Sequence, residues 1–78
     1  MSSEIRQTLE LKLKALEKLS HDNANSEEYK KFIRGTAARP YIYALWREFH
    51  NKDLVNTDEH IHMLIKVVDG ITAIQEEA

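Results

Sequence analysis

Ile42-Tyr43-Ala44-Leu45-Trp46-Arg47-Glu48-Phe49 sets its apolar residues Ile42, Leu45, Trp46 and Phe49 at i, i+3, i+4 and i+7. That spacing is one face of a helix. It is the strongest periodic signal in the chain, and it points to an all-α fold. Two glycines and one proline in 78 residues are too few for the tight turns of an all-β protein.

Working forward, Asn51-Lys52-Asp53-Leu54-Val55-Asn56 reads as a connection, with Leu54 and Val55 tucking it onto the core. Asn56, with Glu59 three residues on, has the capping-box relation that starts a helix. Ile61, Leu64, Ile65, Val68 and Ile71 give that last helix its buried face, and Val67 and Ile74 widen it. Gly70 interrupts it at a cost of about 1 kcal/mol relative to alanine. It serves either close helix packing or nothing. The end, Glu76-Glu77-Ala78, has no C-cap glycine and puts two acids where the helix dipole prefers cations. That pattern fits equally a helix continuing in a longer parent chain and an ordinary frayed terminus.

Working backward, proline is tolerated in the first turn of a helix but not inside one. Pro40 therefore predicts a helix starting near Ala38 or Arg39, with Thr36 as its cap. An earlier piece carries Tyr29, Phe32 and Ile33, opens on an Asn25–Glu28 capping box and stalls at Gly35. The second helix is thus expected to be split at Gly35–Pro40. The polar run Ser20-His21-Asp22-Asn23-Ala24-Asn25 reads as a loop. Before it, Leu9 to Lys14 alternates with period two, as a strand would. The longer window overrules this. Leu9 to Leu19 has no β-branched residue, Ile5, Leu9, Leu13 and Leu16 form a helical stripe, and Glu10–Lys14 is a favourable i,i+4 pair.

The expectation is one helical domain over residues 1–78, a small three- to four-helix bundle. Its expected core is Leu9, Leu13, Leu16, Phe32, Ile42, Leu45, Trp46, Phe49, Ile61, Leu64, Ile65 and Val68. Hydrophobic residues at 42% and charged residues at 31% are a globular composition. No apolar run is long enough to span a bilayer, and Met1-Ser2-Ser3-Glu4 lacks the layout of a signal peptide. With no cysteine there is no disulfide, no thiolate nucleophile and no sulfur ligand for zinc. The cytosol or nucleus is the expected compartment.

Little in the chain points to catalysis. His60 and His62, two apart, point to opposite sides of a helix, and His21 and His50 sit near helix C-termini, where the dipole favours an imidazolium. A metal site from His50, Asp53 and His60 is a weaker reading than surface histidines. Ser2, Ser3, Ser20 and Ser26 lie in polar ends or caps, with no nucleophile-elbow sequence around them. Gly35 and Gly70 stand alone, so there is no phosphate-cradling loop. The expectation is a non-enzymatic protein with no metal and no cofactor.

The informative feature is charge asymmetry. Residues 1–50 hold nine Lys and Arg against seven Asp and Glu, whereas residues 51–78 hold two against six. Lys30, Lys31, Arg34, Arg39 and Arg47 fall in an acid-free run over 30–47, and all six aromatics lie between Tyr29 and Phe49. Tyr and Arg are favoured interface anchors. Arg39, Tyr43 and Arg47 recur every four residues, so they share a face. That face, with Lys31 and Arg34, is read as binding an acidic or amphipathic segment of another protein. A homodimer through the wide apolar face of the last helix is a variant. The alternative is weak RNA or single-stranded DNA binding, with Lys30, Lys31, Arg34, Arg39 and Arg47 on phosphates and Tyr29, Tyr41 and Tyr43 under bases. A net charge of −2 makes it the second choice.

Leu45-Trp46-Arg47-Glu48-Phe49-His50-Asn51-Lys52-Asp53-Leu54, followed by an amphipathic helix through Leu64 to Ala78, resembles a known arrangement. It is similar to a motif in the C-terminal helical domain of the second-step pre-mRNA splicing factor family. There an apolar-aromatic-basic helix ends in a basic-polar step and a leucine, and the next helix packs back. The resemblance covers under half the chain and lacks that family's later helices and characteristic loop. It implies a helical fold and a role near RNA processing, and carries no functional residue across.

Overall fold

The computed structural model describes residues 3–51 and 57–77. They form three helices, α1 (Ser3–Ala24), α2 (Tyr29–His50) and α3 (Asp58–Gln75), and no strand among the described residues. The Arg6 guanidinium donates to the Phe49 carbonyl, and Ser20 Oγ donates to the Gly35 carbonyl, so α2 runs antiparallel to α1. Lys12 meets Asp69 and Asn23 meets Gln75, so α3 runs parallel to α1. The bundle measures 42 × 19 × 14 Å. No helix among the described residues is long and apolar enough to cross a membrane.

The core is one cluster: Leu9, Leu13 and Leu16 from α1, Ala38, Ile42, Leu45 and Phe49 from α2, and Ile61, Leu64 and Val68 from α3. Burying each large side chain contributes about 1.5–3 kcal/mol. Trp46 and Ile65, expected inside, are partly buried and pack against the cluster, as do Ile5 and Ile71. Phe32 departs from expectation and is 43% exposed. The buried line on α2 begins at Gly35, which lies against the last turn of α1. Phe32 stands one turn earlier, where α1 has ended and no helix remains to cover it.

The bundle takes the three-helix form of the expectation, without the expected split. The second helix is not split, and there is no fourth helix among the described residues: α2 runs unbroken from Tyr29 to His50 with Pro40 inside it. Pro40 leaves the Thr36 carbonyl, four residues back, without an amide to accept from. Both residues lie on the exposed side, where water can serve that carbonyl. The loop expected at Ser20–Asn25 is instead the last turn of α1, which continues to Ala24. Ser20 and Asn23 are buried, extending the Leu9–Leu13–Leu16 stripe with polar residues.

The caps differ as well. Asn25 does not cap α2; its side chain donates back to the His21 carbonyl, and Glu28 is the N-cap residue without a side-chain capping bond. Thr57 caps α3, its hydroxyl accepting from the His60 amide at 3.2 Å. The expected roles of Asn56, Leu54 and Val55, and of Asp53 in a metal site, lie outside the described residues. Gly35, read as a helix stop, lies inside α2, and Gly70, read as serving either close packing or nothing, has no close neighbour. A Cβ on Gly35 would collide with the Ala24 amide nitrogen and come within 2.5 Å of the Ser20 carbonyl oxygen. A Cβ on Gly70 would meet nothing within 4 Å. Close helix packing therefore belongs to Gly35.

Candidate functional site

Arg39, Tyr43 and Arg47 all lie exposed on α2. Their four-residue spacing stacks them on successive turns. The Arg47 guanidinium carbon sits 5.6 Å from the Tyr43 ring centroid, a cation–π approach. Arg39 and Tyr43 border a hollow of about 410 Å³ whose lining also includes Glu17 and His21 of α1 with Ile42 and Trp46. Arg47 turns toward a neighbouring hollow with Ala44, Glu48 and Asn51. These three residues therefore form one surface, basic at its edges and aromatic at its centre.

The remaining residues read as basic or stacking groups lie elsewhere. Arg34 reaches toward the end of α3, where a guanidinium nitrogen donates to the Glu77 carbonyl at 2.7 Å. Lys31 pairs with Glu28 at 2.9 Å. That pairing holds the Glu28 carboxyl below its usual value, first through the hydrogen bond and then through the lysine's charge. Tyr29 and Lys30 border a shallow hollow with Ile33, Arg34 and Glu77. Tyr41 faces the α3 side. The eight residues Tyr29, Lys30, Lys31, Arg34, Arg39, Tyr41, Tyr43 and Arg47 are thus spread around α2.

A second surface joins the wide apolar face of the last helix, read from the sequence, to an α2 side that the sequence reading missed. Between α2 and α3 lies an open seam of about 410 Å³, lined by Ile33, Arg34, Ala37, Ala38 and Tyr41 on one side and Ile71, Ile74 and Gln75 on the other. The surface it presents is almost entirely apolar. Ile33, Tyr41 and Ile74 are 45%, 65% and 51% exposed, and Val67 and Met63 extend the patch along α3. The seam is open because α2 and α3 both pack principally on α1, and Ala37 and Ala38 are too small to fill the space between them. The signal was present in α3, whose apolar residues span more of its circumference than one neighbour can cover.

The seam ends at a buried polar cluster. Asn23 Nδ2 donates to the Gln75 carbonyl and side-chain oxygens at 2.9 Å each, and Gln75 Nε2 donates to the Arg34 carbonyl at 3.1 Å. At the opposite end of the bundle the Arg6 guanidinium lies 4.3 Å over the Phe49 ring, and His50 stacks on Trp46. His60 Nε2 and Glu48 Oε1 are 2.6 Å apart. Among the described residues no three of His, Asp or Glu stand close enough together to hold a metal ion. Comparison with known proteins finds no matching family model, no matching curated protein and no matching solved structure.

Proposed function

We propose that the chain is a non-enzymatic helical interaction module, an adaptor within a larger assembly of the cytosol or nucleus. It holds an acidic or amphipathic segment of a protein partner on the face of Arg39, Tyr43 and Arg47. One observation carries this reading: two guanidinium groups flank an exposed tyrosine ring on one side of α2, beside a hollow whose lining includes Ile42 and Trp46. Guanidinium groups bind carboxylates through paired hydrogen bonds, and a tyrosine supplies contact area at low entropic cost. The hollow offers an apolar side chain of the same segment a place between them. An RNA-processing assembly is the setting to which the splicing-factor resemblance points.

The test is a pull-down with the wild type beside an Arg39→Ala/Tyr43→Ala/Arg47→Ala variant. All three side chains are exposed, so the variant is expected to keep its helical circular dichroism. Interface anchors of this kind cost roughly 1–2 kcal/mol or more each on truncation, so the variant should lose its partner. Equal recovery by both proteins would remove this face from consideration.

A further inference from the structure

We infer that the hollow beside Arg39 selects an amphipathic helix whose apolar stripe carries acids on one flank and bases on the other, and that Glu17 reads the bases. The inference rests on the partner-binding reading of the Arg39–Tyr43–Arg47 face and names the chemistry of the segment held there.

The polar groups around the hollow divide into engaged and free. Ser20 is buried, its hydroxyl donating to the Gly35 carbonyl at 2.9 Å. The His21 ring is engaged with the Asn25 side chain, Nε2 to Nδ2 at 3.1 Å. Near Glu17 on α1, Lys14 is paired with Glu10 at 3.5 Å and Lys18 with Asp22 at 3.3 Å. Glu17 of α1 and Arg39 of α2 remain. Both are exposed and both border the hollow. Neither makes an ion pair among the described residues, with the other or with a third group. Arg6 meets Phe49 and Ser20 meets Gly35 across the two antiparallel helices, so Glu17 stands about level with Arg39. The hollow therefore has a negative lip on α1, a positive lip on α2, and Ile42 with Trp46 between them.

Those two lips decide which occupant fits. A helix laid along the α1–α2 groove puts its apolar stripe over Ile42 and Trp46, one flank beside Arg39 and the other beside Glu17. Acids on the first flank reach the Arg39 guanidinium, with Arg47 further along the same lip over the Tyr43 ring. Acids on the second flank would meet an unpaired like charge, whereas bases there meet an opposite one. Glu17 thus turns away a helix that is acidic on both flanks, which the basic residues of α2 alone would accept.

Two synthetic, tryptophan-free amphipathic helical peptides with the same leucine stripe test this. One carries glutamate on both flanks; the other carries glutamate on one flank and lysine on the other. Trp46, the single tryptophan of the chain, reports binding by its fluorescence. The wild type should hold the mixed peptide about fivefold more tightly than the all-acid one. Glu17→Gln should bring the two affinities together, and Glu17→Lys should reverse their order. Glu17 is exposed, so both variants should keep the helical circular dichroism of the wild type. Equal wild-type affinities, or a preference that Glu17→Gln leaves intact, would overturn the inference. The partner-binding reading would survive that outcome if the Arg39→Ala/Tyr43→Ala/Arg47→Ala variant still lost both peptides. Peptides that do not bind the wild type, or that bind the triple variant equally well, would overturn both.

Discussion

The two seams beside α2 are built from opposite materials. Against α1, α2 lays Gly35 on the Ser20–Ala24 backbone, and the contact is sealed by the Ser20 hydroxyl donating to the Gly35 carbonyl at 2.9 Å. Against α3, it leaves an apolar gap flanked by Ala37 and Tyr41. The two glycines differ in the same way: Gly35 is walled in by backbone and Gly70 faces nothing. A glycine therefore says only that backbone is bare at that point; its surroundings say what the bareness is for.

The sharpest way to break the closed seam is Gly35→Ala. The new methyl meets main-chain atoms of α1, which cannot rotate away as a side chain could. The helices must separate, at a cost of roughly 3 kcal/mol. That is a large share of the stability of so small a domain. A chemical-denaturation midpoint equal to that of the wild type would show that the seam is not closed as described.

Asn23→Ala comes next. It strips the Gln75 side-chain oxygen of its donor inside the bundle, with an expected loss of about 1–3 kcal/mol. Gln75→Ala in the same background should add less than its own single effect, because the two residues share one network. A double-mutant cycle checks this, and full additivity would deny the coupling.

Gly70→Ala should move stability the other way. With open space around it and a helical position to improve, the substitution should stabilise the chain by about 0.5–1 kcal/mol. Thermal melting measures it. A loss of stability would mean that the gap at Gly70 is already filled.

The smallest effect belongs to the exposed rim of the closed end. Lys31 lowers the Glu28 carboxyl, so the pair contributes at neutral pH and above. Its contribution fades as pH falls through the lowered value. Lys31→Ala should return the Glu28 titration, followed by carboxylate NMR, toward the usual range with little change in melting at neutral pH.

What the sequence disclosed follows the same division. Leu9, Leu13, Leu16, Ile42, Leu45, Phe49, Ile61, Leu64 and Val68 were legible as core because apolar side chains at helical spacing have one economical place to go. Ser20 and Asn23 were misread because their burial depends on Gly35 and Gln75, distant in the chain and invisible to local rules. Pro40 was misread because a local penalty of about 3 kcal/mol can be outweighed by packing on both sides of it. Of the candidate surface, the spacing of Arg39, Tyr43 and Arg47 was enough to bring them together. Arg34 and Lys31 were assigned to that face on charge alone, and charge does not fix direction. The α2–α3 seam required knowing that both helices lean on α1.

The Asn23–Gln75 contact has a consequence for uniqueness. Stripes of leucine, isoleucine and valine can slide past one another by a whole heptad and bury nearly the same area. Apolar packing alone would therefore leave α3 several near-equal berths along α1. Slipping by one turn would move Gln75 away from Asn23 and the Arg34 carbonyl, stranding the amides in a dry environment. The cluster adds little to the depth of the native well. It raises the neighbouring ones, and so it sets the α1–α3 alignment as a notch sets a sliding bolt.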